Sequence, residues 1–305
     1  MNKEQEILNK YNIVPIRFSY KNKIKIIETE NDKYTIKQKT NNYHHIYKLL
    51  NNHNFEYYLK PINSFDDSYE IYPYIIEKEL DSDTKAINLM YILSLLHNKT
   101  TIYKEINLDK IKEIYEEITN EINHLLSYYY ALQDKIENRL YMSPAEYLLI
   151  RNINLIYKSL NSSRIHIDNW YKIKLKQKKE RQVLLHNNLK LEHFLQGENS
   201  YLINWKKYKI DNVIYDFLNF YKNEYQNLEM ENLFNTYQNK YQYTQDEKYL
   251  FYSLIQIPWL IKFENTNYIN TLNVRKMLDY LEKTMHFISQ NYEKNQKTQE
   301  EEFHQ

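Results

Sequence analysis

The sequence predicts an α+β fold of two lobes: a small antiparallel β-rich lobe over residues 1–78, and a large helical lobe over residues 79–292 with one β-hairpin set into it. Three observations carry this reading. Short β-branched and aromatic runs dominate residues 12–76. A helical period takes over from residue 83. Residues 183–205, VLLHNNLKLEHFLQGENSYLINW, return to alternation around Gly197, the only glycine in 305 residues.

In order, Asn12–Phe18, Lys23–Thr29 and Lys33–Lys39 read as strands separated by the turn-like segments SYKN and END. A helix is expected over Tyr43–His53, then two more strands, Glu56–Ile62 and Tyr69–Ile76. Beyond residue 83, Leu89, Leu93 and Leu96 share one face of a helix. Ile111, Ile114, Ile118, Ile122, Leu125, Tyr129, Leu132 and Ile136 line another, longer one. Ser143-Pro144-Ala145-Glu146 supplies an N-cap, a proline at the first helical position and a returning glutamate, so a helix starts there. Thr244-Gln245-Asp246-Glu247 makes a second such start, and Pro258 interrupts the helix that follows. FLQGENSYLI reads as a hairpin in which Gly197 and Asn199 supply turn geometry, glycine reaching positive φ without steric cost. The residues after Tyr292, 293–305, read as a disordered tail.

Composition narrows the function classes. With 41 Lys+Arg against 40 Asp+Glu the formal charge is +1, which gives no global field for nucleic acid or an anionic membrane. The lysine-rich stretch Tyr171–Gln182 reads as a solvated helix or strand edge and not as a nucleic-acid site. Cysteine is absent, which removes disulfides, thiolate metal sites and cysteine nucleophiles. No apolar segment is long enough to span a bilayer and no h-region opens the chain, so the expectation is a cytoplasmic protein without a membrane span.

The order of elements together with His186-Asn187-Asn188-Leu189-Lys190-Leu191-Glu192-His193 resembles the protein-kinase-like fold in its aminoglycoside and choline phosphotransferase branch. That branch carries H-G-D-x-H-x-x-N in its catalytic loop and I-D-W or I-D-F at its metal-binding strand; here Ile203-Asn204-Trp205 stands in the second place. Tyr34-Thr35-Ile36-Lys37 is similar to the third-strand lysine motif, Leu95-Leu96-His97 to the family's Leu-His, and Tyr215-Asp216-Phe217 to its downstream Asp-Leu-Ala. Leu254-Ile255-Gln256-Ile257-Pro258-Trp259 resembles a segment of the bacterial spore-coat (CotS-like) subgroup.

What the resemblance implies is read through its departures. The loop acid that receives the hydroxyl proton is Asn188 here, and an amide has no basic carboxylate. The two magnesium positions are His193 and Asn204, a nitrogen and an uncharged oxygen where Mg²⁺ favours anionic oxygens. The resemblance implies a phosphate contact at Lys37, with Lys39 or a merely solvated strand lysine as the alternative, and a second cofactor-binding candidate at Lys190 in the loop; the helix after the third strand contains no acid to pair with Lys37. The segment SYKNKI, where a phosphate-covering turn would lie, has no glycine. His186 and Asp216 remain as supports of the loop. The resemblance therefore implies a degenerate, pseudokinase-like member that is not an enzyme. It would bind a protein partner as a scaffold, in spore or envelope assembly, with no cofactor or with ATP held without dependence on magnesium. The alternative is a divergent ATP-dependent phosphotransferase acting on a hydroxyl group of a small molecule, recruiting Asp211, Glu192 or Glu198 as its acid.

Overall fold

The computed structural model describes residues 3–21, 24–39, 44–63 and 67–303. Asn22 and Lys23, in the expected SYKN turn and phosphate-covering segment, and Tyr43, at the expected start of the first helix, lie outside the described residues.

A helix not expected from the sequence opens the chain. In α1 (Lys3–Lys10) Ile7 and Leu8 are buried. It ends where the N–H groups of Tyr11 and Ile13 donate to the carbonyls of Ile7 and Leu8, with Asn12 at φ 56°. Asparagine tolerates that left-handed conformation better than most residues. This helix end takes the first half of the expected strand Asn12–Phe18, and β1 runs over Arg17–Lys21 instead. It is followed by β2 (Ile24–Glu28), β3 (Lys33–Gln38), α2 (His44–Asn52) and β4 (Tyr69–Pro73). The four strands form an antiparallel sheet in the order β1-β2-β3-β4, with Phe18 opposite Ile27, Ile27 opposite Tyr34 and Ile36 opposite Ile71. Ile7, Leu8, Ile13, Ile27, Ile36 and Ile71 bury one another, so α1 is held by the hydrophobic effect on one face of the sheet. The expected strand Glu56–Ile62 is not one. Only Tyr58 bridges, to Leu202, while Tyr57 accepts the N–H of Leu202 at 2.8 Å. Pro61 has no N–H to extend such a pairing.

The chain continues through α3 (Ser82–Thr100), capped by the Asp81 carboxylate on the Thr84 N–H at 2.8 Å, then β5 (Ile102–Glu105), α4 (Leu108–Glu137), α5 (Pro144–Arg151) and α6 (Ile153–Lys174). Next come β6 (Lys179–Leu185), the hairpin strands β7 (Phe194–Gln196) and β8 (Ser200–Leu202), β9 (Lys209–Asp211), α7 (Ile214–Glu224), α8 (Met230–Gln238), α9 (Gln245–Ile255) and α10 (Asn267–Phe303). The last helix continues to Phe303, past Tyr292, where the sequence reading begins its tail. Among the described residues no helix is long and apolar enough to cross a membrane.

Two compact units result. One comprises residues 1–101 and 183–211, the other residues 102–182 and 212–305. The first holds the sheet, α3 and the hairpin.

The second unit is helical, with α6 packed on α4 and α9. Both capping boxes expected from the sequence form, Ser143 with Glu146 and Thr244 with Glu247. Phe217, Phe234, Phe251 and Phe287 pack with Tyr221, Tyr237 and Tyr243 at ring separations of 5.2–6.4 Å. Several of the 33 tyrosines are core residues, and the hydroxyls of Tyr129 and Tyr280 donate to the backbone carbonyls of Trp259 and Ile255, both at 2.6 Å. Within the lysine-rich stretch 171–182, Lys174 is not solvated. It is buried and paired with Asp246 at 2.9 Å and Glu180 at 3.2 Å, while Arg181 bonds Glu247.

Candidate functional site

The residues that resemble a catalytic loop lie in the first unit, between β6 and β9. Val183, Leu184 and Leu185 are buried and pair with Asp211, Ile210 and Lys209, which anchors the loop at its base. His186 follows, fully buried, with Nε2 2.8 Å from the Ile203 carbonyl and its ring edge-on to Trp205 at 4.8 Å. A carbonyl can only accept, so that nitrogen carries the proton. Asn187 takes φ 54° and its amide donates to the Lys207 carbonyl at 2.9 Å. Its two neighbours, His186 and Asn188, thereby come to lie on either side of a left-handed residue.

From Asn188 the chain turns into a short 3₁₀ segment, Leu191–His193, and then into the hairpin. His193 Nδ1–H donates to the Asn188 backbone carbonyl at 2.7 Å, which fixes Nε2 as the lone-pair nitrogen of the neutral ring. That nitrogen accepts from Asn204 Nδ2 at 2.8 Å. Asn204 sits at φ 66° and ψ 52°, again left-handed, and its Oδ1 is buried with no hydrogen-bond partner among the described residues. The structure thus brings Asn188, His193 and Asn204 together, with both ring nitrogens of the histidine already engaged. Glu192 lies 3.7 Å from Nε2 but is exposed, as is Lys190, which pairs with it at 3.3 Å.

Magnesium does not fit this donor set. It prefers anionic oxygens in octahedral array, and here it would meet an imidazole nitrogen and a neutral amide that already bond each other. Among the described residues no group of three His, Asp or Glu is placed to hold a metal ion.

Lys37 stands on β3 and has an acid partner, contrary to the expectation from α2. Glu70 lies directly opposite on β4, and its Oε2 is 3.2 Å from Lys37 Nζ. The ammonium also rests 4.6 Å from the centre of the Tyr72 ring, a cation–π contact. Tyr72 donates its hydroxyl to Glu70 Oε2 at 3.0 Å, and Tyr47 of α2 meets the Tyr72 hydroxyl at 3.1 Å. Burial, reinforced by Tyr47 and Glu70, holds the Tyr72 hydroxyl far above the usual phenol range, so it stays a donor. The helix that lacks an acid contributes a tyrosine to the same network. No local signal could have revealed Glu70, because the register of β4 on β3 is set by tertiary packing.

Asp216 is fully buried in the first turn of α7, in the second unit. Its charge joins burial and Glu247 in pushing the Tyr243 hydroxyl well up from its ordinary value.

Gly197 does not use positive φ, and neither does Asn199. The glycine is required by contact. A Cβ there would lie 2.9 Å from Ile75 Cγ2 and 2.9 Å from the Ile76 carbonyl oxygen. Beside it the Lys78 N–H donates to the Gln196 carbonyl at 2.7 Å, so the hairpin is pressed against the segment after β4.

No protein-family model and no curated protein matches the sequence. Among solved structures, an aminoglycoside phosphotransferase from Alicyclobacillus acidocaldarius superposes with a TM-score of 0.67 at 9% identity, over 95% of each chain. The chain has the kinase-like phosphotransferase fold. An AMP-bound spectinomycin phosphotransferase gives 0.48 at 14% identity over 94% of each chain. The choline kinase of Streptococcus pneumoniae gives 0.43 at 15% identity over 90% of this chain and 98% of its own. At 9% identity the first of these likenesses is one of fold, and its antiparallel sheet and large helical part agree with the α+β reading of the sequence.

Proposed function

We infer that this chain uses a phosphotransferase fold as a binding module without phosphoryl transfer. The observation that carries this reading is the closed set Asn188, His193 and Asn204. The ring nitrogens of His193 are spent on the Asn188 carbonyl and the Asn204 amide. The loop offers no carboxylate at 188 to take a hydroxyl proton. His186, bonded to Ile203, and the left-handed Asn187 and Asn204 hold the loop's shape. Shape without acids suits recognition and not transfer.

Lys37, held by Glu70 and Tyr72, remains a cation able to meet the phosphates of a nucleotide. Nucleotide affinity is then independent of Mg²⁺. Thermal-shift titration with ATP alone, with ATP and Mg²⁺, and with ATP and Mn²⁺ tests this; the three midpoints are expected to coincide. A metal-dependent rise of several degrees would overturn it. The second reading, transfer to a small-molecule hydroxyl, draws on the Glu192 carboxylate 3.7 Å from His193 Nε2. It requires transfer of label from the γ-phosphate of ATP that Glu192→Gln abolishes.

A further inference from the structure

The cation on which the nucleotide reading turns already has a carboxylate set against it. The register places Glu70 of β4 opposite Lys37 of β3, and Tyr72, two residues on, shares that face of the sheet. Glu70 is 3% exposed and the Lys37 side chain 48%, so the carboxylate lies on the inner side of the ammonium. Its Oε2 meets the ammonium at 3.2 Å and accepts from the Tyr72 hydroxyl at 3.0 Å, while Oε1 is buried with no hydrogen-bond partner among the described residues. A buried carboxylate compensated at one oxygen alone keeps the lysine charge committed to it, and the β4 pairing and the Tyr72 bond hold it in place. A phosphate oxygen bonded to the ammonium from solvent sits about 2.8 Å from it, and so at most about 6 Å from Glu70 Oε2. Coulomb energy falls as 1/r, so at those distances the carboxylate cancels at least about half of the attraction, whatever dielectric the two share. Magnesium, which would restore the balance, does not fit the donor set of the loop.

We propose that Glu70 is a specificity-determining residue: by cancelling the charge of Lys37 it makes the ligand of this site a nucleoside or nucleoside monophosphate, to which further phosphates add nothing. The inference rests on the reading that a nucleotide meets Lys37, and it names the class of nucleotide. Each phosphate beyond the first brings charge that neither the Lys37–Glu70 pair nor a metal ion meets. Two lysines of the loop and its flank follow the same pattern, Lys190 with Glu192 at 3.3 Å and Lys209 with Asp211 at 2.8 Å. Lys206 and Lys207, exposed on the turn after Asn204, have no such ion pair among the described residues and serve as the check on it.

The test is calorimetric titration of the full chain with adenosine, AMP, ADP and ATP in the presence of a chelator. In the unaltered chain adenosine or AMP is expected to bind at least as tightly as ATP, an order that needs no variant to be read. Glu70→Gln keeps the size of the side chain and an acceptor for Tyr72; it is expected to tighten ATP by about tenfold and adenosine not at all. A merely structural role would weaken all four ligands together, and a role in holding Lys37 for phosphate would weaken ATP alone. Glu28→Gln breaks the like cross-strand pair with Lys33, at 2.8 Å, and leaves the order unchanged. ATP binding tighter than AMP in the unaltered chain, or an ATP affinity lowered or unchanged by Glu70→Gln, overturns the inference and leaves the nucleotide reading standing. If Lys206→Gln or Lys207→Gln then abolished that preference for ATP, the phosphates would be read at the turn and not at Lys37. Binding of none of the four to either protein overturns the nucleotide reading and this inference with it.

Discussion

His193 Nε2 accepts a hydrogen bond from the Asn204 amide at 2.8 Å, so the two side chains at the loop and the hairpin's end hold each other. The amide nitrogen of Asn204 can only donate, so Nε2 supplies the lone pair and the bond joins two uncharged groups, while Nδ1–H meets the Asn188 carbonyl. A neutral bond of this kind contributes about 1 kcal/mol net. A double-mutant cycle of His193→Ala with Asn204→Gly, followed by urea denaturation, is expected to give a coupling energy of about 1 kcal/mol. Asn204→Ala should cost more than Asn204→Gly, since alanine must hold φ 66° at a further cost of about 1–2 kcal/mol. A coupling energy near zero would mean that the bond does not form in solution.

Lys37 and Glu70 make a one-sided pair. Glu70 is 3% exposed while the lysine side chain is 48% exposed, so the buried carboxylate depends on the cation more than the reverse. Lys37→Met leaves that charge without its ion partner and is expected to lose about 1–2 kcal/mol, below the value for a fully buried pair because solvent screens the lysine. Glu70→Gln introduced into Lys37→Met should restore part of the loss, because it removes the stranded charge. If the double variant is less stable than Lys37→Met, the ion pair is not what Lys37 contributes at this position.

These two pairs also mark where the sequence is readable. The helices are legible because burial selects a 3.6-residue spacing, and the Ser143 and Thr244 capping boxes are legible because all their atoms lie within four residues. The loop from His186 to Trp205 is legible as a motif. The Lys37–Glu70 pair is not, since two strands far apart in sequence choose their register by packing. Tyr58 fails as a strand for a related reason: residues 57 and 58 are drawn to the hairpin through Leu202 and not to the sheet. The first strand was misplaced because a helix end at Asn12 uses backbone geometry that no apolar pattern signals.

His166 gives the second unit a pH dependence. It is buried, with Nδ1 2.7 Å from Gln256 Oε1 and Nε2 2.7 Å from the Tyr292 hydroxyl, and its ring lies against Tyr249, Tyr252 and Tyr292. Burial lowers its pKa from 6.5, opposed by the Gln256 bond. The unfolded chain therefore takes up a proton at higher pH than the folded one. Stability is full above pH 6.5 and falls as pH drops below it, toward the lowered folded value. Thermal midpoints measured downward from neutral pH should decline through this range, and His166→Gln should flatten that decline while lowering the midpoint at neutral pH. A decline of equal slope in His166→Gln would assign it to other groups.

Gly197→Ala separates two reasons for keeping a glycine. If the turn required positive φ, asparagine would be a tolerable substitute and alanine a poor one. The observed requirement is space: the added Cβ meets Ile75 Cγ2 and the Ile76 carbonyl oxygen, each at 2.9 Å. The isoleucine methyl can be removed by mutation, but the carbonyl belongs to the backbone and cannot give way without moving the segment that carries the Lys78 bond to Gln196. Gly197→Ala is expected to destabilise by about 2 kcal/mol, in the range for overpacking, and Gly197→Asn by more. Ile75→Ala placed in the Gly197→Ala background removes one of the two clashes and recovers only part of the loss. Because β7 leads directly from His193, the same substitution should also weaken the coupling between His193 and Asn204. Full tolerance of Gly197→Asn in urea denaturation would return the explanation to backbone conformation.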